Sequence, residues 1–90
     1  MDKINFYIGE QRYIDFEVRS TKKETFSIVD AEYIITRKDG TVLDKGSATV
    51  HNGNMVRLLF NASEKGLFVL ELDVTIPPEV VTHKSLLNVS

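Results

Sequence analysis

From Phe68 to Ile76 the chain alternates without a slip. Phe68, Leu70, Leu72, Val74 and Ile76 are apolar, and Glu71, Asp73 and Thr75 stand between them. A helix would scatter these side chains around its circumference, whereas a strand puts every second residue on one face. The run therefore predicts a strand with one buried and one wet face. The same period recurs in Ile4, Phe6 and Ile8, in Ile14, Phe16 and Val18, and in Val56, Leu58 and Phe60. Strands are expected near 3–8, 12–19, 31–38, 41–45, 47–51, 54–60, 67–76 and 80–89.

The punctuation between these runs agrees. Asp39-Gly40 predicts a tight type I′ hairpin turn, since that turn needs positive φ angles. Asn52-Gly53 offers a second turn of the same chemistry. Gly46 is expected to break the strand after the first hairpin. Asn61–Gly66 reads as a short polar connection with room for one helical turn, ended by Gly66 in a left-handed conformation. Pro77-Pro78 cannot donate to a ladder, so they are expected to close the Phe68 strand and begin a loop. Ser20–Thr25 is a charged loop. No segment has the capped helical pattern that a crossover between parallel strands requires. Short strands with turns every 8–12 residues and no crossover helix give an antiparallel β-sandwich of seven or eight strands. The Leu67–Ile76 strand is expected at the centre of a sheet. Leu67, Val69 and Ile34, apolar on the otherwise wet faces, suggest local burial on both sides. A small open barrel is the runner-up, but it wants a helix that the sequence lacks.

At 90 residues the chain is one domain, 1–90. Eleven basic against thirteen acidic residues give no electrostatic case for nucleic acid. No stretch approaches the ~18–20 apolar residues of a helical membrane span. There is no cysteine, hence no disulfide, thiolate metal site or Cys nucleophile. Met1-Asp2-Lys3 leads straight into the first alternating run, with no basic and apolar leader ahead of it. Synthesis in the cytoplasm is the corresponding expectation.

The search for chemistry returns little. His51 and His83 are far apart and belong to no ligand cluster, so both read as exposed strand-end histidines and no metal is expected. Asp30, Glu32, Asp39 and Asp44 alternate with basic residues and read as a solvated mixed-charge surface. No serine lies in a Gly-x-Ser-x-Gly elbow, and the five glycines are singles placed at bends, so no phosphate loop exists. No cofactor is expected, and the chain reads as a non-enzyme. Tyr7 and Tyr13 are aromatics out of phase with the apolar sets of their own strands. Flanking the bend at Gly9, they are the candidate partner-binding residues, because tyrosine is enriched in interface cores; the bland alternative is two half-buried rings with wet hydroxyls. Met55 and Leu59 are a second out-of-phase pair, and the C-terminal strand is expected to cover them.

One ordered set of features carries a resemblance. Phe26-Ser27-Ile28-Val29-Asp30-Ala31-Glu32-Tyr33-Ile34-Ile35 leads into Asp39-Gly40-Thr41-Val42 and Gly46-Ser47-Ala48-Thr49-Val50. Gly66-Leu67-Phe68-Val69-Leu70-Glu71-Leu72 follows, and a Pro-Glu loop precedes the last strand. This order resembles the small immunoglobulin-like domains of tailed phages and prophages of Gram-positive bacteria, including the N-terminal domain of baseplate upper proteins. It covers about 26–76, with Phe68 standing where those domains usually carry Tyr. The resemblance implies an immunoglobulin-like β-sandwich, a non-catalytic structural role in a virion tail or baseplate, and other protein subunits as partners, self-association included. Neither nucleic acid nor membrane is an expected partner. The alternative is a bacterial extracellular module that binds carbohydrate or another ligand.

Overall fold

The computed structural model describes residues 2–18, 28–51 and 53–90. The expected charged loop at 20–25 and Asn52 of the second turn lie outside them. The described residues form eight strands and no helix: β1 (Asp2–Phe6), β2 (Gln11–Glu17), β3 (Asp30–Thr36), β4 (Val42–Ser47), β5 (Thr49–His51), β6 (Met55–Asn61), β7 (Gly66–Ile76) and β8 (Glu79–Val89). They make a five-stranded sheet, order β1-β8-β7-β3-β4, and a three-stranded sheet, order β2-β6-β5. The two sheets pack face to face as a sandwich. In immunoglobulin terms β2, β6 and β5 take the B, E and D places, and β3, β7 and β8 take C, F and G. β7 lies at the centre of the larger sheet, as its apolar run requires.

The alternating residues meet between the sheets. Phe68, Leu70, Leu72 and Val74 of β7 face inward with Ala31 and Ile35 of β3 and with Ser85, Leu87 and Val89 of β8. Ile14 of β2 and Val56, Leu58 and Phe60 of β6 meet them from the smaller sheet. Phe6 crosses from β1 and sets its ring edge-on to Phe60, with centroids 4.8 Å apart. Edge-to-face contact suits two aromatic quadrupoles better than a flat sandwich.

Several expectations are corrected. The sandwich is not wholly antiparallel, because β1 runs parallel to β8, from Asp2 opposite Ser85 to Phe6 opposite Val89. Ile8 belongs to the turn after β1 and is exposed. The first hairpin turn is set one residue early: the Gly40 N–H donates to the Arg37 carbonyl (3.0 Å) and the Arg37 N–H to the Thr41 carbonyl (2.8 Å). Asp39 is used differently from a type I′ turn, accepting from the Thr41 amide and hydroxyl at 2.9 and 2.6 Å. Gly46 does not break β4. It sits opposite Tyr33 in the ladder, where an added Cβ would lie 3.3 Å from the Tyr33 hydroxyl oxygen, so a side chain there would press on the tyrosine ring. Pro77-Pro78, joined by a cis peptide bond, turn β7 directly into β8 instead of opening a loop. The 61–66 connection carries no helical turn, and Gly66 has φ +138.

Candidate functional site

Hydrogen bonds in an antiparallel pair fix which way each backbone group points, because a residue sends its N–H and C=O to the same side. The Ala62 N–H donates to the Glu10 carbonyl and the Val18 N–H to the Asn54 carbonyl, each at 2.8 Å. With Arg12 opposite Phe60 and Ile14 opposite Leu58, the even residues of β2 bond to β6. Gln11, Tyr13 and Asp15 therefore send both backbone groups to the open edge, and their side chains to the outer face of the three-stranded sheet.

Tyr13 is the centre of that face, 58% exposed. It stands opposite Leu59 of β6, and the Arg57 guanidinium lies 5.0 Å from its ring centroid. Asp15 orients Arg57, whose Nε and one terminal nitrogen donate to the two Asp15 carboxylate oxygens at 2.6 and 3.1 Å. That two-pronged bond holds the Asp15 carboxyl below the usual carboxylate range and the Arg57 guanidinium above its own. The result is a preset platform of ring, cation and anion, of a kind that favours a bound state through low ordering cost. Met55 and Leu59 lie on this outer face too. The C-terminal strand belongs to the other sheet, so the expected cover over them is absent.

Tyr7 is 78% exposed, in the turn that carries the chain from one sheet to the other. No ring contact joins it to Tyr13. Its backbone is fully occupied: the Tyr7 N–H donates to one Glu10 carboxylate oxygen at 3.0 Å, and the Tyr7 carbonyl accepts from the Glu10 N–H at 3.0 Å. The other Glu10 oxygen holds Arg12 at 2.8 Å. Arg12 in turn covers the Phe6 ring at 4.1 Å and donates to the Asn5 carbonyl. Glu10 and Arg12 thus cap the open edge of β1 at its C-terminal end and leave that of β2 uncapped.

Beside Tyr13, where the chain leaves β4 for β5, a cleft of about 410 Å³ is lined by Tyr13, Tyr33, Ser47, Thr49, Arg57 and Leu59, among others. Tyr33 is half-buried and donates to Asp44 at 3.2 Å; burial first, then the Asp44 charge, pushes its phenol up. On the outer face of the larger sheet, Leu86, Val69, Thr36 and Val42 form one row across four strands. Leu67, Val69 and Ile34 are half-buried there by their sheet neighbours, and no described strand lies over them.

His83 is exposed as expected, though it lies within β8 and not at its end, and His51 departs from expectation. His51 is half-buried, with an Nε2 that has no hydrogen-bond partner. His83 stacks edge-on against Phe16 at 5.0 Å and lies near both Ser85 and Asp2. That Ser-His-Asp grouping cannot run as a triad. Both Ser85 (3.3 Å) and Asp2 (3.8 Å) approach the same ring nitrogen, Nε2, so no second nitrogen carries the orienting bond, and Ser85 is fully buried. Among the described residues no three His, Asp or Glu side chains are grouped to hold a metal ion.

Comparison with known proteins adds the fold alone. The crystal structure of an engineered protein, a structural-genomics target, is similar over 99% of this chain with a TM-score of 0.77 and 8% identity. This chain spans 18% of that one's length. No family model and no curated protein matches the sequence.

Proposed function

We propose that the chain is a non-catalytic module that binds other protein subunits, and that it serves as a tail or baseplate component of a phage or prophage virion. The observation that carries the binding reading is the Tyr13–Arg57–Asp15 platform beside an uncapped edge strand. An exposed tyrosine and a pre-oriented arginine are the residue types that dominate interface energetics. The immunoglobulin-like sandwich and the order of motifs from Phe26 to Leu72 support the virion context. Tyr7, at the tip of the same side, extends the contact. An interface here should bury at least about 1,000 Å² in total. A tyrosine hot spot should cost about 2 kcal/mol on truncation, roughly thirtyfold in affinity.

The test is mass spectrometry and antibody labelling of purified particles from a strain that carries the gene. The chain should be recovered at fixed stoichiometry, and a folded Tyr7→Ala, Tyr13→Ala double variant should be depleted from particles. Particles without the chain refute the virion role. Normal incorporation of the double variant refutes the tyrosine contact.

One observation favours a second reading. The cleft between Tyr13 and Tyr33 presents two aromatic rings, the Ser47 and Thr49 hydroxyls and Arg57, a set that suits a sugar ring. A glycan array separates the readings: saturable binding lost in Tyr13→Ala supports a carbohydrate module, and no binding removes it.

A further inference from the structure

The open β2 edge has a definite geometry, and its chemistry selects a partner. Gln11, Tyr13 and Asp15 offer three outward N–H and three outward C=O groups, and none of these finds a partner among the described residues. An exposed edge of this kind is a template for another strand. The neighbouring β1 edge is blocked at its C-terminal end, where Glu10 and Arg12 occupy the Tyr7 groups and the Asn5 carbonyl.

We infer that the strand accepted here is β2 of a second copy of this chain, paired antiparallel about a two-fold axis at Tyr13 or the adjacent Ile14. This rests on the reading of the chain as a protein-binding module and names its partner. A two-fold axis perpendicular to the sheet pairs identical strands antiparallel and closes the assembly at two copies. The charges then restrict the register, because like charges directly opposite are unfavourable. Centring on Arg12 sets the two arginines opposite each other, and centring on Asp15 does the same with two carboxylates. Centring on Gln11 brings Tyr13 opposite Gly9 and Asp15 opposite Tyr7, whose amides are already bonded within the chain. Two registers remain. In one, Tyr13 meets Tyr13 of the second copy and Gln11 meets Asp15; in the other, Ile14 lies on the axis and Tyr13 meets Asp15. Neither sets like charges directly opposite, and both place the Tyr13 N–H and C=O in the seam. The pairing joins two three-stranded sheets into one six-stranded sheet, with the Tyr13–Arg57–Asp15 platforms side by side on its outer face.

The experiment is sedimentation equilibrium of the isolated chain up to about millimolar concentration, with three proline variants. Tyr13→Pro and Gln11→Pro each delete one outward N–H and no rung of the β2–β6 ladder, a placement that sheets tolerate. Lys45→Pro deletes an outward N–H, one that donates to the Asp44 carboxylate, from β4, the edge strand of the larger sheet. The wild type should show a reversible monomer–dimer equilibrium. The two β2 variants, folded by circular dichroism, should weaken it at least about tenfold, and Lys45→Pro should leave it unchanged. Gln11→Pro keeps the test alive if Tyr13→Pro does not fold. A monomeric wild type, a dimer unaffected by a folded β2 variant, or equal weakening by Lys45→Pro overturns the self-pairing. A monomer that is nonetheless recovered from particles overturns the self-pairing and leaves the module reading standing.

Discussion

Phe68 is the residue on which the phase of the sandwich can be tested most sharply. It is 2% exposed, opens the inward row of the central strand β7, and stands opposite Leu87 of β8. Phe68→Ala removes a ring from a buried site in the packed interior, where the surrounding side chains close only partly over the space left. The cost should be about 3–5 kcal/mol. A chain of this length has about 5–13 kcal/mol in total. At about 4–8 °C per kcal/mol, the melting temperature should fall by about 12–40 °C. Glu71 lies on the opposite face of the same strand, where its partner is Lys84 at 3.6 Å. Glu71→Ala should cost no more than about 1 kcal/mol, since a pair on an open face is weak and screened. Urea titration of both variants measures the contrast, through shifts in midpoint at constant m-value. Equal losses at the two positions would refute the assignment of β7's inner and outer faces.

Four further outcomes are expected. Gly40→Ala meets no atom within 4 Å but must hold φ near +89, so it should cost about 1–2 kcal/mol from the backbone alone, measured by urea denaturation. Gly46→Ala instead presses on the Tyr33 ring, so its signature should be a shifted Tyr33 phenol titration as the bond to Asp44 loosens. The Asp15 carboxyl is held below its unfolded value near 4 by Arg57. Its stabilisation is therefore present above about pH 4, is lost as pH falls through the lower folded value, and stays below about 1 kcal/mol because the pair is exposed. Arg57→Ala should flatten that part of the stability–pH curve, and added salt should do so partly. Micromolar Zn²⁺ or millimolar Ca²⁺ should leave the melting temperature unchanged, since a ligand held only by the native state would raise it. An EDTA-reversible rise would show that Asp30, Asp39, Asp44 or the histidines form a site.

The strands were legible in the sequence because alternation is a local signal that burial imposes on every second residue. β7 illustrates it: the row from Phe68 to Val74 is continuous, and its observed inward face is the one the pattern picked. Partner choice was not legible, because period two says which way a side chain points and not which strand lies alongside. Hence β1 proved parallel to β8, and Met55 and Leu59, expected beneath the last strand, stand on the opposite sheet. Gly46 misled for a related reason. A glycine in a strand signals either a break or a close approach, and only the distant Tyr33 decides between them. At the site, Tyr13 was singled out by its phase, but its partners Arg57 and Asp15 are 42 residues apart in sequence and meet only through the β2–β6 register. The capping of β1 by Glu10 and Arg12 likewise depends on bonds no local pattern announces.

Residue-resolved amide exchange by NMR tests most directly the claim that β2 is an open edge used for association. At low concentration the Ile14 amide, bonded to β6, should be protected, while those of Gln11, Tyr13 and Asp15 exchange freely. As concentration rises, those three should gain protection together and Tyr7 should show no change. Protection at Gln11, Tyr13 and Asp15 that does not respond to concentration would contradict the account.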